Sequence, residues 1–382
     1  MQEYNWRKER EKYRPDFMKP SESAKPEAST PSSQSSQQSV PPVVKRSNNG
    51  WMILALPVLV VVLALVFFGI NAVKNMSGDP ATLLSKSAEQ YKKAVGLVVL
   101  TAELENGNKV PLPLATAWAF APDKFATNAH VANGLKDACE GAKISLAGSL
   151  LEKRANEAGY KDDIEAYLAH LGEAQGKKVT EQCMKEADKL IRGFSVSILI
   201  NGEHHKSYPV THAQVHRDYG VATSSFDPDV AVLIIDGKHD IFFKTAEVDT
   251  LGALKSGEPI AFLGFPMENM HNDNVNLDNP VASMQSGIVV AVSDFEMKDA
   301  GPSGNYLIRH NLPSTGGASG SPIFNRKGEV VALLYAGNVI GQVQQNGQVE
   351  RAPSAAQINF AVRSDLLNGV GTPVDIQKIL AP

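Results

Sequence analysis

A serine hydroxyl does not attack a carbonyl at neutral pH unless a base stands within hydrogen-bond reach and a third group holds that base in the right tautomer. Three short stretches of this chain carry residues of those three kinds. Ser319 sits in Gly316-Gly317-Ala318-Ser319-Gly320-Ser321-Pro322, His130 in Ala126-Thr127-Asn128-Ala129-His130-Val131, and Asp229 opens Asp229-Val230-Ala231-Val232-Leu233. Gly317 permits a tight turn whose N–H, with that of Ser319, can point into one concavity where an oxyanion would develop. Gly320 lets the chain leave the turn with no side chain over the substrate. His130 follows an apolar run, which suits a base presented at a strand end, and Asp229 would stand at the start of a buried strand. Singly, each has a bland reading: a packed histidine, a turn aspartate, a Gly/Ser turn. Ser321 is a rival nucleophile that lacks the N–H pattern before it. Together, in the order His, Asp, Ser, they point to acyl transfer through a covalent intermediate.

The elements that must position these residues are mostly strands. From Val95 onward, short β-branched runs punctuated by turn residues fall at 95–103, 113–120, 124–127, 195–200, 210–215, 230–235, 259–263, 281–293, 305–309, 330–335 and 358–362. So many strands at this spacing predict barrels or a sandwich. Residues 147–192 break the pattern, being rich in helix formers and poor in β-branched residues. We read them as a helical hairpin, part of an insertion over about 136–194 between the His and Asp strands, with Gly172 and Gly176 separating its two halves.

Composition narrows the classes. The chain has 382 residues, 43% hydrophobic and 20% charged, with a net charge of −4, so it can bury a sizeable core and has no basic surplus for nucleic acid. Residues 47–73 contain no ionisable side chain and are long enough to span a bilayer as a helix. Nine Lys or Arg precede this run within residues 1–50, which orients the N-terminus toward the cytoplasm. Residues 1–46 read as a disordered cytoplasmic tail, Ser-, Pro- and Gln-rich over 20–44. Residues 74–94 read as an amphipathic stalk helix and linker, with Leu83, Leu84, Ala88 and Tyr91 on one face. Cys139 and Cys183 are the two cysteines, both on the extracytoplasmic side. An isolated pair there leads us to expect one disulfide tying the insertion to the barrel, worth about 3 to 4 kcal/mol; two unrelated buried thiols are the alternative. His204-His205 and the oxygen-rich stretch 272–278 read as a turn and a surface loop, so no metal and no cofactor is expected.

These motifs resemble those of the trypsin-like serine proteases, most closely the bacterial HtrA/Deg type. Thr127-Asn128-Ala129-His130-Val131 is similar to the family's T-[AN]-x-H-V, Asp229-Val230-Ala231-Val232-Leu233 to D-[IV]-A-[VL]-L, and Gly317-Ala318-Ser319-Gly320-Ser321-Pro322 to G-N-S-G-G-P. Leu263-Gly264-Phe265-Pro266, Ser286-Gly287-Ile288-Val289, Gly328-Glu329-Val330-Val331 and Ile358-Asn359-Phe360-Ala361-Val362 match further landmarks in order. The resemblance implies an all-β fold of two perpendicular six-stranded chymotrypsin-like barrels over 95–370, with the helical insertion, the N-terminal transmembrane helix and a short C-terminal tail at 371–382. It implies a serine endopeptidase with the triad His130, Asp229 and Ser319 and an oxyanion hole at Gly317 and Ser319. Leu334, Tyr335 and Ala336 would form the edge that pairs with a polypeptide substrate. Its setting would be the bacterial inner membrane, with the peptidase domain periplasmic. Ala318 and Ser321 are small departures from the motif. Only about 17 residues follow Asp365, so no PDZ domain is expected.

No Asp or Glu occurs between Ala300 and Ala318, the stretch expected to wall the primary pocket, so a preference for a small or medium apolar residue before the cut is the sequence expectation. Two other functions remain open: a latent or inactive peptide-binding or stress-sensing module on the same fold, and an esterase on the same triad. Self-association and a partner for the cytoplasmic tail are also left open.

Overall fold

The computed structural model describes residues 78–222, 224–267, 276–313, 315–337, 339–343, 349–353 and 358–381, and from Leu83 onward the chain forms one compact unit. The expected tail at 1–46 and transmembrane helix at 47–73 lie outside the described residues. Among those described, no helix is long and apolar enough to cross a membrane.

Helix α1 (Pro80–Tyr91) and a single 3-10 turn (Lys92–Ala94) lead into the first strand. The helix is not a free stalk. Leu84 and Ala88 are buried in a core shared with Phe243, Phe324 and Val330, and the Tyr91 ring stacks on Phe243 at 4.7 Å.

The first barrel comprises β1 (Val95–Leu104), β2 (Lys109–Ala121), β3 (Lys124–Thr127), β4 (Ile191–Ile200), β5 (Ser207–Val215) and β6 (Ala231–Ile235). Their order is β5-β4-β1-β2-β3-β6, closed by a β5–β6 pairing. Side chains alternate across a strand, and β1 is buried on both faces. Val98 and Leu100 point into the first barrel, while Leu97 and Val99 point into the layer between the barrels. That double burial is why β1 reads as an unbroken apolar run.

Next along the chain come β7 (Lys244–Thr245), β8 (Pro259–Gly264), β9 (Ser283–Ser293), β10 (Leu307–His310), β11 (Pro322–Phe324) and β12 (Glu329–Ala336). A separate hairpin, β13 (Val339–Val343) and β14 (Val349–Pro353), precedes β15 (Asn359–Arg363). The order β11-β8-β9-β10-β15-β12 closes through β11–β12 into a second six-stranded antiparallel barrel, to which β7 adds in parallel. The residues read as a C-terminal tail belong to the first barrel. There β16 (Val374–Asp375) pairs with β5, and Ile376 and Leu380 of the helix Ile376–Leu380 enter its core.

Between β3 and β4 lie α2 (Ala129–Asn133), α3 (Leu135–Glu157), α4 (Ile164–Leu171) and α5 (Glu173–Leu190). The insertion is therefore three helices beyond α2, not a hairpin of two. Gly172, at φ 72°, caps α5, whereas Gly176 lies inside it, packed against Leu168. The other break, at residues 158–163, ends with Asp163, whose carboxylate accepts from Ala166 N.

The expected disulfide is not formed: Cys139 and Cys183 are both free and buried. Cys139 packs in the first barrel's core, Cys183 in the insertion's own core with Leu151, Ile164 and Val179. Ala147, Leu151 and Ala155 of α3 share a core with Val179, Cys183 and Ala187 of α5, and the Lys143–Asp188 ion pair at 3.1 Å marks the barrel end of this contact. Cys139 lies on the barrel side of that pair and Cys183 on the far side. Burial pushes the Cys139 thiol up to about 11 and raises that of Cys183, so both are poor nucleophiles at neutral pH. Reductant is expected to leave the melting temperature unchanged, and the denatured chain to titrate two thiols without prior reduction; a melting point that falls in dithiothreitol would contradict this.

Candidate active site

The β3–β6 pairing sets Thr127 opposite Ala231, so the residues just beyond each strand end, Asn128 to His130 and Asp229, meet. Asn128 Nδ2 donates to the Asp229 carbonyl at 2.8 Å. The Asp229 carboxylate is then gripped twice by His130, with Oδ1 accepting from the backbone N–H at 2.8 Å and Oδ2 lying 2.6 Å from Nδ1. A carboxylate only accepts, so Nδ1 carries the proton and the lone pair is left on Nε2. Asp229 is 5% exposed, while about a quarter (26%) of the His130 side chain faces solvent. Burial, together with the charges of Asp229 and Asp227, pushes the Tyr219 and Tyr335 phenols up to about 12.

The turn around Ser319 is fastened from both sides. From β2, Thr116 N donates to the Ser319 carbonyl at 2.9 Å, and Thr116 Oγ1 donates to Gly317 O at 2.9 Å while accepting from Phe265 N at 3.0 Å. From β12, Leu334 O accepts from Gly320 N at 2.8 Å and Leu334 N donates to Ser321 O at 3.0 Å. Gly317 and Gly320 stand at φ 84° and 83°, the left-handed region. A Cβ at Gly320 would run into Thr116 O and Thr127 Oγ1, which brings the serine turn directly against the end of the strand that leads to His130.

The backbone donors of the serine turn can be traced as well. Gly316 O accepts from Met267 N at 2.7 Å, and in a trans peptide the following N–H points the opposite way. Among the described residues, the N–H groups of Gly317 and Ser319 donate to no protein acceptor. Ser319 keeps a small exposure of 6%, whereas Ser321 has none, its Oγ lying against Gly264. The rival serine is thus out of reach of any substrate.

Leu334 requires a correction. It is fully buried, and its N–H and C=O are both taken up by the serine turn, so it cannot pair with a substrate strand. Tyr335 and Ala336, beyond it, are half-buried at the end of β12. Sequence reasoning missed Thr116, whose signal was one hydroxyl within the apolar run Ala115-Thr116-Ala117-Trp118.

Residues 115–333, more than half of the chain, match the trypsin-like peptidase domain. The chain belongs to that family. Within this trypsin-like peptidase domain the matched segment contains His130, Asp229 and Ser319 together with the intervening insertion. Similar solved structures include an HtrA-type protease AlgW with a decapeptide, 12% identical, covering 75% of this chain and 65% of that one with a TM-score of 0.39. Another is a Glu endopeptidase in complex with MPD, 15% identical, covering 72% and 89% with a TM-score of 0.38. This chain therefore spans slightly less than two thirds of the AlgW chain. No curated protein matches it.

Proposed function

We propose that the protein is a serine endopeptidase that cleaves exposed or unfolded polypeptide segments through an acyl-enzyme. The reading rests on one observation above the others: a buried carboxylate doubly bonded to His130, next to a serine turn in which the N–H groups of Gly317 and Ser319 have no acceptor among the described residues. His130 Nε2 takes the Ser319 proton as Oγ attacks and returns it to the leaving amine. Asp229 holds the imidazole in the Nδ1–H tautomer and stabilises the imidazolium. The Gly317 and Ser319 N–H groups bind the tetrahedral oxyanion, and the Gly316–Met267 bond keeps the Gly317 N–H aimed there without a rearrangement. Tyr335 and Ala336 offer the edge on which a substrate strand lies. No cofactor enters these steps.

The run at residues 47–73 supports a single-pass anchor in the inner membrane with the peptidase domain on the extracytoplasmic side. Alkaline extraction of membranes is expected to leave the chain in the pellet, and deletion of 47–73 to release it; release of the intact chain would remove the anchor from this reading. For the activity, casein is expected to be cleaved by the wild type and to survive with Ser319→Ala. Turnover of small esters with intact casein would favour the esterase reading instead.

A further inference from the structure

We propose that Arg309 makes the protein selective for an acidic side chain, glutamate or aspartate, at the residue preceding the cut. This rests on the serine endopeptidase reading. Three adjacent strands carry the argument. Leu307 pairs with Val362 and Arg309 with Phe360 across β10 and β15, and Phe360 pairs with Ala336 across β15 and β12. Residues opposite one another share a face. Ile308, Ala361 and Leu334 form the inward row, in the second barrel's own core. Leu307 is buried on the opposite face, and Val362 opposite it, with Leu333 paired beyond Val362, enters the layer between the barrels. Arg309 and Phe360 lie two residues along from Leu307 and Val362, so they continue that outer row toward the end of β12.

The row runs to the strand that holds the serine turn. The Phe360 ring is 6.5 Å from that of Tyr335, and Tyr335 directly follows Leu334, whose main chain holds Gly320 and Ser321. A strip of side chains thus runs from Tyr335, the residue after the one that holds the serine turn, through Phe360 to Arg309, beside the edge where a substrate strand would lie.

The Arg309 Nε is buried without a hydrogen bond, and no carboxylate among the described residues pairs with this half-buried side chain. Arg363, also on β15, shows how this protein treats a structural guanidinium: it bonds both oxygens of Asp365 and the carbonyls of Pro302 and Asn305. A second orphan lies in the segment linking Arg309 to Ser319, where Thr315 Oγ1 is buried without a partner. A buried donor left without an acceptor is costly, here the Arg309 Nε, and a guanidinium is matched in shape and charge by a carboxylate. The absence of any Asp or Glu from residues 300–318, taken from the sequence as a sign of an apolar pocket, fits this arrangement as well. The wall carries no acid because the substrate brings one.

The test uses the full-length chain and matched peptides that differ only in the residue before the cut: Glu, Asp, Gln or Leu. The expected kcat/KM for Glu exceeds that for its uncharged isostere Gln by about 100-fold or more. Arg309→Gln should bring that ratio to within a few-fold of one, and Arg309→Lys should retain part of it. Preference for Leu, or a Glu:Gln ratio unchanged in Arg309→Gln, overturns the proposal. The wild-type peptide panel needs no variant, so poor folding of a substituted chain does not remove the test. A second readout needs no cleavage: affinity of Ser319→Ala for peptides ending in Glu or Gln. If the wild type cleaves none of the peptides yet Ser319→Ala binds only the Glu-ended one, through Arg309, the endopeptidase reading fails and the acid site stands. Equal binding of the two overturns the acid site itself.

Discussion

Asp229→Asn is expected to lower kcat by about 10⁴-fold while leaving the fold and peptide affinity close to those of the wild type. The reason lies in the two-point grip. In the wild type both carboxylate oxygens accept, one from the His130 backbone N–H at 2.8 Å and one facing Nδ1 at 2.6 Å. An asparagine has a single acceptor oxygen. If that oxygen keeps the backbone N–H, the amide Nδ2 faces Nδ1, which must then accept, and the ring proton moves to Nε2. The imidazole stays in place but presents a donor where Ser319 needs a base. The measurement is kcat and KM on a cleavable peptide, with melting temperature as the control. A loss below tenfold would mean that Asp229 does not set the tautomer.

Gly320→Ala is expected to destabilise the domain by about 2 to 5 kcal/mol and to abolish most of the remaining activity. Its φ of 83° already disfavours an L side chain. The added methyl would overlap Thr116 O and Thr127 Oγ1, which are joined to each other by a hydrogen bond of 2.9 Å. Relief requires moving the serine turn away from β3, which separates Ser319 from the strand end that carries His130. Thermal melting and peptide cleavage together check this. A variant with wild-type melting and rate would show that the turn does not depend on that close approach.

The strands were legible because their burial is regular. The 124–127 run matches β3 end to end, and β1, buried on two faces, announced itself as a continuous apolar stretch. What the sequence could not convey was contact between distant segments. Thr116 looks like any small residue in a strand, yet it clamps the serine turn two hundred positions away. The last residues lack the length of an ordinary strand, so they read as a tail, but Ile376 and Leu380 find their burial in the first barrel. Two cysteines are an arithmetic invitation to a disulfide, whereas only three-dimensional register reveals that they belong to different cores. The expectation for Leu334 was off by one residue, because the bulge between Leu334 and Ala336 and the bonds to the serine turn are not encoded in the local pattern. The turn around Ser319 was easier to read, since it needs glycine at two positions for steric reasons that leave a mark in sequence.

The most direct test of the central claim is labelling of the full-length protein with a fluorophosphonate, followed by mass mapping of the adduct. The account predicts one adduct, on Ser319, absent from Ser319→Ala and greatly slowed in Asp229→Asn. A folded wild type that takes no label, or one labelled at another residue, would contradict it.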